Sequence, residues 1–234
     1  LIPGIDTKAS IKNVGILDSY IDVSTVKNEA YGAAFAAYVK NWREEYEVKE
    51  ENYPVISGCF ADTSVIVRGN FAGGMVSGTP SPIKIEDSYF VGKLIGGSRC
   101  GALLGNAFAP DSIIRNCYAC TADFDQIVDG RGDLIAAGNT YENVYTFGVA
   151  VGLGVTFVNA DNMCGVNAKS GMPGLDYDKV WMTVDDTMPI LRIFYPRIKR
   201  SATATARKTR IDFVTNAEGV TVPPIEGLIG AKLV

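Results

Sequence analysis

Four segments of this chain line up at a nearly constant interval, and a fixed period of about 20–50 residues restricts a chain to stacked, repetitive architectures. They are Ile56-Ser-Gly-Cys59-Phe60, Ile85-Glu-Asp-Ser88-Tyr89, Ile114-Arg-Asn-Cys117-Tyr118 and the weaker Tyr141-Glu-Asn-Val144-Tyr145. The aromatic residues Phe60, Tyr89, Tyr118 and Tyr145 are spaced 29, 29 and 27 positions apart. A second block follows in each unit: Ala72-Gly-Gly-Met-Val-Ser-Gly78, Arg99-Cys-Gly-Ala-Leu-Leu-Gly105 and Gly132-Asp-Leu-Ile-Ala-Ala-Gly138, with Tyr31-Gly-Ala-Ala-Phe-Ala-Ala37 as an earlier copy.

Each unit offers a β-branched and aromatic strand, a second alternating strand such as Ser64-Val-Ile-Val67, and a glycine-bounded apolar strand. Three short strands per unit suit one coil of a solenoid, with like residues stacked at roughly 4.8 Å. The expected fold is therefore all-β: a right-handed parallel β-helix of about four to six coils. Hydrophobic residues make up 47% of the 234, ample for a continuous core, and the 25 glycines suit a fold rich in tight turns.

The repeat assigns structural roles before chemical ones. Cys59, Ser88 and Cys117 share one slot, where a small, weakly polar side chain fits a crowded interior; a reactive thiol needs an exposed, electropositive setting instead. The slot of Phe60, Tyr89, Tyr118 and Tyr145 serves either as a stacking platform for sugars or as an aromatic ladder between coils, and the ladder is the expectation. Gly73, Gly74, Gly78, Gly101, Gly105 and Gly138 are read as corners with positive φ and as points of close backbone approach.

Residues 38–53 interrupt the period with a charged stretch carrying five glutamates, expected to form a protruding hairpin or short helix. Residues 29–40 have helix propensity, but their alignment with the Gly73 block favours strand. Seven of the 22 basic residues (Arg192, Arg197, Lys199, Arg200, Arg207, Lys208 and Arg210) fall within 19 positions, around Ser201-Ala-Thr-Ala-Thr-Ala206, which reads as a solvated linker over 198–210.

Composition removes several classes of chemistry. The chain has no histidine, so Ser-His-Asp and Cys-His nucleophile systems and a His-Glu-x-x-His zinc site are excluded. Five cysteines cannot all pair, and only Cys117 and Cys120 stand at C-x-x-C spacing, so Cys59, Cys100, Cys117, Cys120 and Cys164 are expected as buried reduced thiols. In an exported protein that implies an anaerobic source. Asp123, Asp125, Asp129 and Asp133 gather four carboxylates, yet Ile127 and Val128 stand where a calcium loop needs a ligand and a glycine. Arg131-Gly132-Asp133 spells an integrin-binding tripeptide inside the recurring glycine slot, and Asp185-Asp186 reads as turn chemistry beside Pro189.

No catalytic residue, metal or cofactor is therefore expected. A net charge of −4 gives no reason to bind nucleic acid, and no run of about 18 apolar residues exists to span a membrane. The start, Leu1-Ile2-Pro3-Gly4, carries neither an initiator Met nor a signal segment, and the chain is read as a piece of something larger.

Gly101-Ala-Leu-Leu-Gly105-Asn106 with Ile114-Arg-Asn-Cys117-Tyr118 resembles the repeats of bacterial surface proteins of the GLUG type. Gly73-Gly-Met-Val-Ser-Gly78 departs by inserting Ser77, and Leu134-Ile-Ala-Ala-Gly138 lacks the leading glycine pair. Val180-Trp181 followed by Pro189-Ile-Leu191 is similar to the tail of such regions, so the resemblance covers residues 11–197 and implies a β-helix over 1–197 with a closing segment over 160–197. Ile211-Asp-Phe-Val-Thr-Asn216 with Val222-Pro-Pro-Ile225-Glu-Gly227 resembles the opening of internalin-type (Listeria–Bacteroides) β-grasp repeats, making 211–234 a partial repeat that lacks the completing Gly-Trp region.

Together the resemblances imply an exported, wall- or surface-attached bacterial protein in which this segment is a noncatalytic structural or adhesion module. Its partners would then be glycans or surface proteins of a host or the environment. Two alternatives stay open: a carbohydrate-binding or lyase-like β-helix, and an accessory segment of a large surface peptidase.

Overall fold

A computed structural model describes residues 2–23, 31–67, 71–95, 99–106, 110–121, 139–147, 154–195, 215–216 and 219–220. The first repeat unit contributes β1 (Ser10–Lys12), β2 (Gly15–Asp22), β3 (Tyr31–Ala33) and β4 (Ala36–Tyr38). The second contributes β5 (Val55–Ser57), β6 (Phe60–Ile66), β7 (Phe71–Gly73) and β8 (Val76–Gly78). The third adds β9 (Lys84–Glu86), β10 (Tyr89–Gly92), β11 (Leu94–Ile95), β12 (Arg99–Gly101) and β13 (Leu104–Asn106). Then follow β14 (Ile113–Thr121), β15 (Thr140–Phe147) and β16 (Val155–Phe157).

These strands form one ten-stranded sheet, curled into a half-barrel, and two three-stranded sheets, β12-β7-β3 and β13-β8-β4. Every pairing within them is parallel, and all except β15–β16, whose partners are 11 positions apart, join like positions of successive units. Ile11, Ile56, Ile85, Ile114 and Tyr141 follow one another in register. So do Gly15, Phe60, Tyr89, Tyr118 and Tyr145. In the short sheets Tyr31 pairs with Phe71, and Phe71 with Arg99. Residues 31–38 are strands β3 and β4 and not a helix, because Ala33 and Ala36 find a parallel partner in the Gly73 block.

A left-handed residue turns a corner in each unit of the ten-stranded sheet, between β1 and β2, β5 and β6, and β9 and β10, and within the continuous β14 and β15. Asn13, Gly58, Asp87, Asn116 and Asn143 have φ of 55°, 62°, 46°, 51° and 52°. Glycine, Asn and Asp tolerate this region best, and those are the residue types present. The corner also slips the in–out alternation by one residue. Ile56, Ile85 and Ile114 point inward before it, and Cys59, Ser88 and Cys117 are buried after it.

The recurring glycines work differently from the expectation of positive-φ corners. Gly73, Gly74, Gly78, Gly101 and Gly105 are absent from the left-handed set, which among glycines contains Gly58, Gly92, Gly154 and Gly165. Close approach alone requires them: a Cβ on Gly73 would strike the Val76 carbonyl oxygen, and one on Gly101 the Leu104 carbonyl oxygen at the same turn one unit later. Gly138 lies outside the described residues.

Two apolar clusters result. The main core draws on all three sheets, with Ile56, Val65, Val76, Ile85, Phe90, Leu94, Leu104 and Ile114 buried together. The second lies on the other face of the ten-stranded sheet, under residues 158–191. That covering segment holds short 3-10 turns, a one-turn helix α1 (Ala168–Gly171), and the antiparallel hairpin of β17 (Trp181–Val184) and β18 (Thr187–Leu191).

The interruption of the period is shorter than 38–53. Tyr38 ends β4 and Val39 bridges Ile5, so the repeat persists to that point. From Tyr38 to Val55 is 17 positions where Gly78 to Lys84 is 6, an excess of 11. The rest of the longer first unit falls between β2 and β3. Two 3-10 turns, Trp42–Glu44 and Glu50–Asn52, bound the insertion in place of a hairpin. Its base is anchored: Trp42 and Tyr53 join the main core with ring centroids 5.7 Å apart.

Candidate functional site

The residues that recur gather on four parallel tracks along the ten-stranded sheet. The first is the slot of Cys59, Ser88 and Cys117. The left-handed corner leaves a carbonyl two residues upstream pointing at this side chain, and each member donates to it: Cys59 Sγ to Ser57 O at 3.3 Å, Ser88 Oγ to Glu86 O at 2.6 Å, and Cys117 Sγ to Arg115 O at 3.0 Å. Ser88 Oγ also accepts the backbone N–H of Cys59 at 3.1 Å. A small side chain with a donor suits these three positions, which explains why Cys and Ser interchange, while Val144, in register with Cys117 after the Asn143 corner, fills the slot one unit on without a donor. Burial pushes the Cys59 and Cys117 thiols up from their ordinary pKa, so neither is a ready nucleophile.

Cys117 and Cys120 cannot act as a chelating or redox pair. Three residues apart on β14, they face opposite sides of the sheet, Cys117 in the main core and Cys120 in the second. Cys100 is also buried and Cys164 half-buried. Among the described residues, no group of three or more metal-binding side chains assembles.

The second track consists of the corner residues. Asn143 Nδ2 donates to Asn116 Oδ1 at 3.0 Å, and Asn116 Nδ2 to Asp87 Oδ1 at 3.2 Å. Asn13 fills the place above Gly58, where a Cβ would collide with its Oδ1. Burial holds the Asp87 carboxyl above the usual carboxylate range, opposed by the Asn116 amide and reinforced by Glu86 and Asp176. The sequence carries a signal of this ladder that the Cys/Ser slot overshadows: Gly58, Asp87, Asn116 and Asn143 recur immediately before Cys59, Ser88, Cys117 and Val144.

The third track is aromatic. Phe60 and Tyr89 stack at 5.1 Å, and Tyr89 and Tyr118 at 4.8 Å with their planes 5° apart. Trp181 lies across Tyr89 and Tyr118 at 5.8 and 5.5 Å, and Phe194 meets Phe60 edge-on at 4.8 Å. Tyr118 Oη donates to the Pro189 carbonyl at 2.7 Å, and Tyr145 Oη accepts the Gly174 N–H at 2.8 Å. Exposures of 1, 0, 0 and 5% for Phe60, Tyr89, Tyr118 and Tyr145 leave no ring face for a sugar. The Val180-Trp181 and Pro189-Ile-Leu191 elements supply the cover.

The fourth track is charged and faces outward before the corner. Arg115 stands 3.7 Å from Glu86 and 3.1 Å from Glu142 on either side of it, and Lys84 pairs with Glu50 of the insertion at 2.5 Å. Lys84 holds the Glu50 carboxyl below its usual range. The contacts of Lys84 and Arg115 with Glu50 fasten the insertion to the sheet, and those of Arg115 with Glu86 and Glu142 join neighbouring strands.

Other rings remain within reach of solvent. Tyr31 stacks on Phe71 at 4.7 Å and meets Tyr38 edge-on at 5.5 Å, all three half-buried on the two short sheets. A cavity of about 30 Å³ lies by Cys100, Leu104, Thr121 and Tyr141, room for roughly one water. Asp185 and Asp186 occupy the turn of the β17–β18 hairpin, Asp186 with φ of 58°. The four carboxylates at 123–133, the Arg131-Gly132-Asp133 tripeptide and the basic linker over 198–210 lie outside the described residues. So does most of 211–234, apart from the short antiparallel pair Thr215–Asn216 and Gly219–Val220.

Comparison with family models, with curated proteins and with solved structures returns no match. Among the described residues, no helix is long and apolar enough to cross a membrane.

Proposed function

We propose that this chain is a right-handed parallel β-helix acting as a noncatalytic structural or adhesion module of an exported bacterial surface protein of the GLUG-repeat type. The observation that carries the reading is that the recurring residues are used in holding successive units together. The Cys/Ser slot, the corner amides and the covered rings each bond or stack to the like position one unit away. The hand follows from the rule that parallel strands in one sheet are joined by right-handed crossovers. A solenoid of this kind makes a rigid rod with surface spread along its length, suited to spacing or display.

A second reading, carbohydrate binding, is favoured at one place: the half-buried rings of Tyr31, Phe71 and Tyr38. Aromatic side chains of this exposure offer an apolar body to a sugar.

A glycan array probed with the full chain, run beside a uronate-lyase assay, tests both. The module reading predicts no lyase product, and any glycan retention is lost in Tyr31→Ala and Phe71→Ala variants that keep the wild-type circular dichroism spectrum. Release of unsaturated uronate would overturn the noncatalytic assignment. Retention unaffected by those variants would remove the ring cluster as the binding place.

A further inference from the structure

We draw no further inference here: the strongest candidate, the small cavity beside Cys100, Leu104 and Tyr141 in the main core, is walled by strands that run on into residues outside the described ones, and nothing in the structure shows what covers it.

Discussion

Ser88 stands between Cys59 and Cys117 in the corner slot and makes the same bond to the carbonyl two residues upstream. Cys117→Ser should therefore keep its partner, while Cys117→Ala leaves the Arg115 carbonyl without its donor and costs about 1–2 kcal/mol more in urea unfolding. At the corner itself, Asp87 has its pKa raised by burial, so it favours the folded state while protonated. That contribution is present below the ordinary carboxylate range and is lost as pH rises through the raised value. Asp87→Asn keeps the left-handed geometry and an amide beside Asn116. It is expected to raise the neutral-pH unfolding midpoint and to flatten its fall between mildly acidic and neutral pH; a lower midpoint for the variant would show that the carboxylate is needed. Glu50 has the opposite sign: its pKa is lowered by Lys84, so its small, solvent-screened contribution holds above the carboxylate range and disappears as pH falls. The slot members were legible in the sequence because they are chemically unusual at a fixed period. The reason for them was not, since a hydrogen bond across a corner depends on φ at the preceding residue.

The covering segment and the insertion lie at the scale of elements, and both were only half legible. Trp181 was marked by its Val-Trp setting, but the rings it covers are some 60 to 90 positions upstream, and no local pattern announces a contact at that distance. Trp181→Ala is expected to cost about 3–5 kcal/mol. It should also open residues 158–191 to limited proteolysis and lower amide-exchange protection in strands β5 to β14 with it, because the cover bridges their rungs. Full protection of β5 to β14 in the variant would mean that the sheet holds independently of its cover. The insertion was visible as a break in the period, but its limits were blurred because Tyr38 and Val39 read as part of the charged stretch although they pair as strand and bridge. Replacing residues 39–54 with the short connection of the next unit, Thr79–Ile83, should preserve the register. The replacement should lower stability by several kcal/mol, because Trp42 and Tyr53 leave the core with it, and a chemical melt measures the loss.

For the whole molecule, the repeat period fixed which strands meet, and strand order followed from it with little further information. What lay beyond the sequence was the division into two cores on opposite faces of one sheet. That division follows from where the covering segment lands. The segment, with Phe194 just beyond it, touches the rungs of Phe60, Tyr89, Tyr118 and Tyr145 together, so it couples units that would otherwise contact only their neighbours. One tryptophan sits in each core, Trp42 in the main and Trp181 in the second. Fluorescence and far-ultraviolet circular dichroism should accordingly report coincident unfolding transitions; separated transitions would show that the cores melt independently.

The central claim is the parallel register of like positions one unit apart, and a crystal structure phased on the methionines tests it most directly. Phe60, Tyr89 and Tyr118 should stack in order beneath Trp181, with Cys59, Ser88 and Cys117 on the opposite face of the same sheet, each bonded to the carbonyl two residues before it. Finding those two sets on separate elements, or paired with a shifted register, would contradict it.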